Sequence, residues 1–276
     1  AAAMVVGLVP GLAATALPRA RGYALGMVAS TVAAGTLLGP ALGGLAAGFG
    51  LPYVFLLPLP LALLALLLSK SLPELPPQEG SLRRLLKASG FMKALLATSL
   101  YFLHTLGTTV ALAFHLGTEG VSPRGIGGLL LLGPVQLLLL GAWAGRVADR
   151  LGYRPLALLG AYLLVGAGVG LGLLPLLHPI WGTAMGLILM GVGRALFQAA
   201  NNALVLSLAP EKTEGLASGA LSVARALGQA LGSLLAGGSL GLLESILPHR
   251  LAFAATALLL TGAMALAAPL MGARPR

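Results

Sequence analysis

Three stretches of the 276-residue chain place polar side chains at helical spacing inside otherwise apolar sequence. Arg194, Gln198 and Asn201 fall at i, i+4 and i+7, with Asn202 beside them, so a helix carries them as one stripe. Thr98, Tyr101, His104, Thr105 and Thr108 share a face in a second stretch, and Ser218, Ser222, Arg225, Gln229 and Gly232 do so in a third. Gln136 lies in a fourth apolar stretch. Guanidinium, amide, phenol and hydroxyl groups bind and orient a ligand; of these residues only His104, with an ordinary pKa of about 6.5, is a candidate to carry a proton at neutral pH. A neighbouring backbone carbonyl or threonine can equally satisfy a helix-borne histidine, and interhelical hydrogen bonds can equally occupy the amides.

The same inventory excludes most enzyme chemistry. There is no HExxH and no pair of acids in an apolar stretch to work as acid and base. The absence of cysteine removes disulfides, thiolate metal sites and thiol nucleophiles, and neither a metal nor an organic cofactor is implied. All seven acids, Glu74, Glu79, Glu119, Asp149, Glu211, Glu214 and Glu244, fall between the apolar stretches or at their ends.

The elements that must hold these groups are membrane-spanning helices. Hydrophobic residues make up 58% of the chain and charged residues 9%, with a mean hydropathy of +0.96, too little polar surface for a water-soluble domain. Apolar runs between charged or Pro/Gly-rich breaks predict nine spans, at 1–17, 22–49, 51–69, 91–116, 124–146, 155–176, 180–207, 215–240 and 249–271. The fold class is therefore all-α, a polytopic membrane helix bundle. With loops on alternating sides, thirteen of the 17 Lys and Arg residues fall on one side and only Arg124 and Arg250 on the other. Arg194 and Arg225 lie within spans. The cations do not form one soluble basic face, so nucleic acid is not an expected partner; their bias makes the richer side cytoplasmic and puts the C-terminus there.

Two motifs narrow the reading. Gly26, Gly35, Gly39, Pro40, Gly43 and Gly44 have the spacing G-x8-G-x3-G-P-x2-G-G in the second span. Gly35, Gly39 and Gly43 recur every four residues, giving a face where another backbone can approach, and Pro40 favours a kink. Between the fifth and sixth spans, Gly145, Asp149, Arg150, Gly152 and Arg154 form a short basic loop, followed by Pro155 in the first turn of the next helix. Asp149 can meet a helix N-terminus or a neighbouring cation.

The first pattern resembles the fifth-helix antiporter motif of drug:proton antiporters in the major facilitator superfamily, and the second resembles the second-half copy of that superfamily's G-x3-D-[RK]-x-G-x-[RK] loop. The segment Ala209 to Gly232 is similar to the penultimate loop and helix of the fourteen-helix antiporters, but the roughly twenty polar residues after the third span leave no room for two extra helices. The resemblance implies a twelve-helix, 6+6 parent. Residues 1–69 would be the last three helices of the N-terminal bundle, 70–90 a cytoplasmic linker and 91–276 the C-terminal six-helix bundle, with the first three helices absent.

The resemblance further implies a transporter of the bacterial inner membrane, with a small amphipathic compound and protons as partners and the lipid bilayer around it. The Gly26-to-Gly44 helix would seal against leak during export, and the Gly145-to-Arg154 loop would be a cytoplasmic latch. Arg225, which matches a basic residue of the family pattern, would belong to a structural or gating ion pair. Tyr101, His104, Gln136, Arg194, Gln198 and Asn201 are expected to line the second-half wall of the substrate cavity, and the proton-carrying carboxylate is expected in the missing helices. An uptake symporter or facilitator of the same fold is disfavoured by the glycine motif. A non-transporting scaffold or receptor would leave the three polar stripes unexplained.

Overall fold

The computed structural model describes residues 2–50, 52, 56, 58–69, 81–210 and 213–272. These are helices and the turns between them: α1 (Ala2–Ala16), α2 (Arg21–Phe49), α3 (Pro58–Ser69), α4 (Leu82–Lys87), α5 (Phe91–Thr118), α6 (Pro123–Leu130), α7 (Leu132–Leu151), α8 (Tyr153–Leu177), α9 (Pro179–Ser207), α10 (Glu214–Glu244), α11 (His249–Ala265) and α12 (Ala267–Gly272). Among the described residues, six helical segments are long and apolar enough to cross a membrane: Phe91–Thr118, Pro123–Leu151, Tyr153–Leu177, Pro179–Ser207, Glu214–Glu244 and His249–Met271. They coincide with the six spans expected after residue 90. The three spans expected before residue 70 correspond to α1, α2 and α3, of 15, 29 and 12 residues.

The boundaries follow from local chemistry. Ser122 caps α6 by accepting the Gly125 N–H, and His178 caps α9 by accepting the Trp181 N–H, with Pro123 and Pro179 next to them where no amide proton is needed. The fifth expected span breaks at Leu131 and the ninth at Leu266 for one reason. Pro134 and Pro269 cannot donate to the carbonyls of Leu130 and Ala265, so a helical bond is missing at each place. Of the expected linker, residues 70–80 lie outside the described residues. Its basic cluster Arg83, Arg84 and Lys87 is carried by a helix, α4, whose Leu85 is buried.

The helices pack through small residues. α8 lies between α9 and α11, while α5 packs on α10 and α11. The core they share is rich in alanine with a few large anchors, Tyr101, Phe197, Phe253, Leu164 and Met190. Dispersion and close backbone approach must hold such a core together, because lipid offers no hydrophobic drive between spans. The first two helices join this body from one side: α1 lies on α10 and α2, and α2 lies on α7 and α9. In α3, residues 58–68 are apolar except for the prolines and all exposed.

Candidate functional site

The junction of α2 with α7 is a seam of backbone on backbone. A Cβ on Gly145 would overlap the Gly22 carbonyl oxygen, and one on Gly26 would overlap the carbonyl oxygen of Gly141. Ser30 completes the α2 row by donating its hydroxyl to the Leu137 carbonyl at 3.2 Å. The contact therefore runs along Gly22, Gly26 and Ser30 on one helix and Gly141 and Gly145 on the other, each row spaced by four residues. Of the two described residues of the expected glycine motif, Gly26 takes part and Gly35 does not. No described atom lies within 4 Å of a Cβ position on Gly35. The surroundings of Gly39, Pro40, Gly43 and Gly44 lie outside the described residues.

One end of the seam is pinned electrostatically. The Asp149 carboxylate accepts the Gly22 N–H at 2.8 Å and the Tyr23 N–H at 2.9 Å, two of the free donors in the first turn of α2, and also accepts the Tyr153 hydroxyl at 3.1 Å. A negative charge there meets the positive end of the helix dipole. The Arg146 guanidinium lies over the Tyr23 ring, 4.4 Å from its centroid. Of the two partners considered for Asp149, the structure uses the helix N-terminus. The expected loop is corrected: Gly145, Asp149 and Arg150 belong to the last turns of α7. The turn itself is the single residue Gly152, at φ 92°, which leaves Tyr153 and Arg154 to open α8. Only at Gly152 does the backbone need the left-handed region, so only there does the helix end. Arg150 is exposed, whereas Arg154 reaches back toward Gly90 at the start of α5.

Beyond the seam, where α1 and α2 meet α9 and α10, a cavity of about 100 Å³ is enclosed by Val9, Pro10, Leu25, Val28, Ala29 and Val32 on one wall and by Gln198, Asn202 and Arg225 on the other. One wall is apolar and the other polar. Gln198 is fixed by the Tyr101 hydroxyl, which donates to its Oε1 at 3.1 Å, and the Tyr101 ring stacks on Phe197 with centroids 4.8 Å apart. Asn201 turns the other way and donates to Thr98 Oγ1 at 2.7 Å, tying α9 to α5.

The six residues expected to line a cavity wall are thus divided. Gln198 lines the cavity, Tyr101 holds it from behind, and Asn201 is an interhelical tie. Gln136 bridges to the Leu187 carbonyl at 3.4 Å. Arg194 lies against Gly133 of α7 with its Nε buried and unpaired. His104 is 0% exposed, wedged toward Gly168 and Thr261, and neither ring nitrogen has a hydrogen-bond partner; the Leu260 backbone approaches it without hydrogen-bond geometry. Arg225 has no acidic partner among the described residues and lies over the Phe102 ring, at 5.1 Å. Asn202 and the α1–α2 wall were missed. A helical stripe shows which residues share a face, not which distant segment faces them.

The opposite end is closed by charge. Arg250 binds Glu119 through two bonds of 2.7 and 2.6 Å, and beside them His115 stacks on Phe253 and meets His249, which in turn contacts Thr118 and Glu244. The guanidinium holds the Glu119 carboxyl below its ordinary value of 4.5. A lowered folded pKa contributes stability that is complete above the unfolded value and is lost as the pH falls through the folded one. The melting temperature of the wild type should exceed that of Glu119→Gln above about pH 5, and the two should converge in stronger acid. A difference that persists unchanged below pH 3 would mean the pair is not the source.

Comparison with known proteins agrees with this architecture. The family model described as Major Facilitator Superfamily matches residues 1–233 and 94–276. The chain is similar to the uncharacterized transporter YebQ of Escherichia coli (strain K12), 35% identical over 131 residues that cover 46% of this chain and 28% of that protein. It is also similar to the riboflavin transporter RibZ of Clostridioides difficile (strain 630), 26% identical over 289 aligned positions that cover 83% of this chain and 63% of that protein. The chain spans less than two thirds of the length of either relative.

Proposed function

The chain belongs to the Major Facilitator Superfamily, and from that premise we propose that it is the greater part of a secondary transporter that exports a small amphipathic compound in exchange for protons. Residues 1–69 then supply three spans of one bundle, 70–90 the cytoplasmic linker, and 91–276 the six spans of the other, nine of a twelve-helix fold. The basic end, with Arg146, Arg150 and Arg154, is cytoplasmic in a bacterial plasma membrane.

The observation that carries the transport reading is the small two-faced cavity directly beyond the α2–α7 seam. A cavity of about 100 Å³ is below the roughly 300–1,000 Å³ of ligand pockets, so it fits a closed arrangement that enlarges when the two sets of helices part. The seam is suited to that motion. Interlocked backbones cannot slide past each other, and they separate as rigid bodies once the bonds from Asp149 to α2 break. Alternating access follows if those bonds break as the cytoplasmic end opens and reform as it closes.

Export rests on the resemblance of the Gly26-to-Gly44 pattern to the antiporter motif. Likeness to RibZ favours a second reading, carriage of a small metabolite by an uptake symporter or facilitator. Flux into proteoliposomes that carry the full-length parent separates them, using riboflavin and fluorescent dyes of differing charge. Accumulation driven by an acid interior and collapsed by a protonophore is the result expected for proton antiport. Equilibration indifferent to the gradient identifies a facilitator, and no flux with correctly inserted protein identifies a scaffold or receptor.

A further inference from the structure

We infer, building on the transport reading, that the compound carried presents an anionic group, a carboxylate or phosphate, to Arg225 and Arg194. Guanidinium groups stay charged in proteins, so these two residues bring two positive charges into the spans. Each has its Nε buried without a hydrogen-bond partner. Nothing in the described interior neutralises them. The acids within the described spans are Asp149, Glu214 and Glu244, all at helix ends; Asp149 is held by the start of α2 and Glu244 by His249. Two partly buried charges with no compensating partner among the described residues favour a negative one.

The cavity adds direction. Arg225 lines it beside Gln198 and Asn202, and the Phe102 ring supports the guanidinium from one side, leaving a planar fork that matches a carboxylate or phosphate. Tyr101 donates to the Gln198 oxygen, which leaves the amide NH2 as the donor that Gln198 can offer a ligand. The polar wall is therefore rich in donors and positive. Arg194, one turn before Gln198 on the same stripe, adds a second cation as the bundles part. The opposing wall, from α1 and α2, is entirely apolar. Together they suit an amphipathic anion, its charged end on α9 and α10 and its body against Leu25 and Val28.

Three probes sharing one ring system test this: 1-naphthoate, 1-naphthamide and 1-naphthylmethylammonium, bound to the purified chain and followed by calorimetric titration. Naphthoate should bind at least tenfold more tightly than the amide, with the ammonium weakest. Arg225→Gln should remove that preference, and Arg194→Gln should reduce it. Equal binding of the three, tightest binding of the ammonium, no naphthoate binding, or a preference that survives both substitutions would each overturn the proposal. The wild-type ranking needs no variant, so a misfolded mutant does not blunt the test. Counterflow in proteoliposomes that carry the full-length parent reads the transport premise separately. Naphthoate that binds but does not exchange removes transport and keeps the anion site, whereas exchange favouring the ammonium keeps transport and removes the site.

Discussion

Gly145→Val is expected to hold the basic end of the molecule open and to reduce transport at least tenfold. The added branch would overlap the Gly22 carbonyl oxygen, and the atom in the way is backbone, so no side-chain rotation relieves it. Overpacking of this kind costs about 1–3 kcal/mol, enough to shift a closed–open balance by roughly 5- to 150-fold. The chain has no cysteine, which makes the shift readable. A single cysteine at Val28, on the cavity wall, should react faster with a membrane-impermeant maleimide applied from the basic end in the Gly145→Val background. Unchanged labelling together with unchanged flux would show that this seam is not what closes that end.

Asp149→Asn is the second large effect. The amide keeps the shape but loses the charge, and its oxygen can accept well from only one of the Gly22 and Tyr23 N–H groups. Loss of a charged helix cap costs about 1–2 kcal/mol, equivalent to roughly 5- to 30-fold in population. Because Asp149 lies on the seam and does not line the cavity, the loss should appear in the rate of exchange and in maleimide access, with substrate affinity changed less than twofold. Weakened affinity at an unaltered exchange rate would place Asp149 in binding rather than in the closing contact.

Much of the fold was legible because a bilayer demands a long apolar run for each crossing, and those runs are hard to mistake. The spans expected at 91–116 and 180–207 correspond to Phe91–Thr118 and Pro179–Ser207. What hydropathy could not show was where a helix continues through charge. Ala148, Asp149 and Arg150 look like a loop by composition, yet nothing in them forbids helical dihedrals, so α7 runs on to Leu151 and turns at Gly152. The glycines were harder still. Gly22, Gly26 and Ser30 form a four-residue row that composition does not mark, and only the answering row of Gly141 and Gly145, more than a hundred residues away, reveals it. The same limit governed the site. Helical phase placed Gln198 on a polar stripe, but one turn of sequence separates a cavity-lining amide from Asn201, whose partner is Thr98.

The reciprocity of that seam has a genetic consequence. Compensation between contacting residues ordinarily works through side chains, a larger one here answered by a smaller one there. At Gly26 and at Gly145 an added side chain would meet only the main chain of the opposing helix, and nothing remains to be trimmed. A lesion at one of these positions has no matching allele across the interface, and revertants must arise by restoring the glycine or by tilting the helices from a distance.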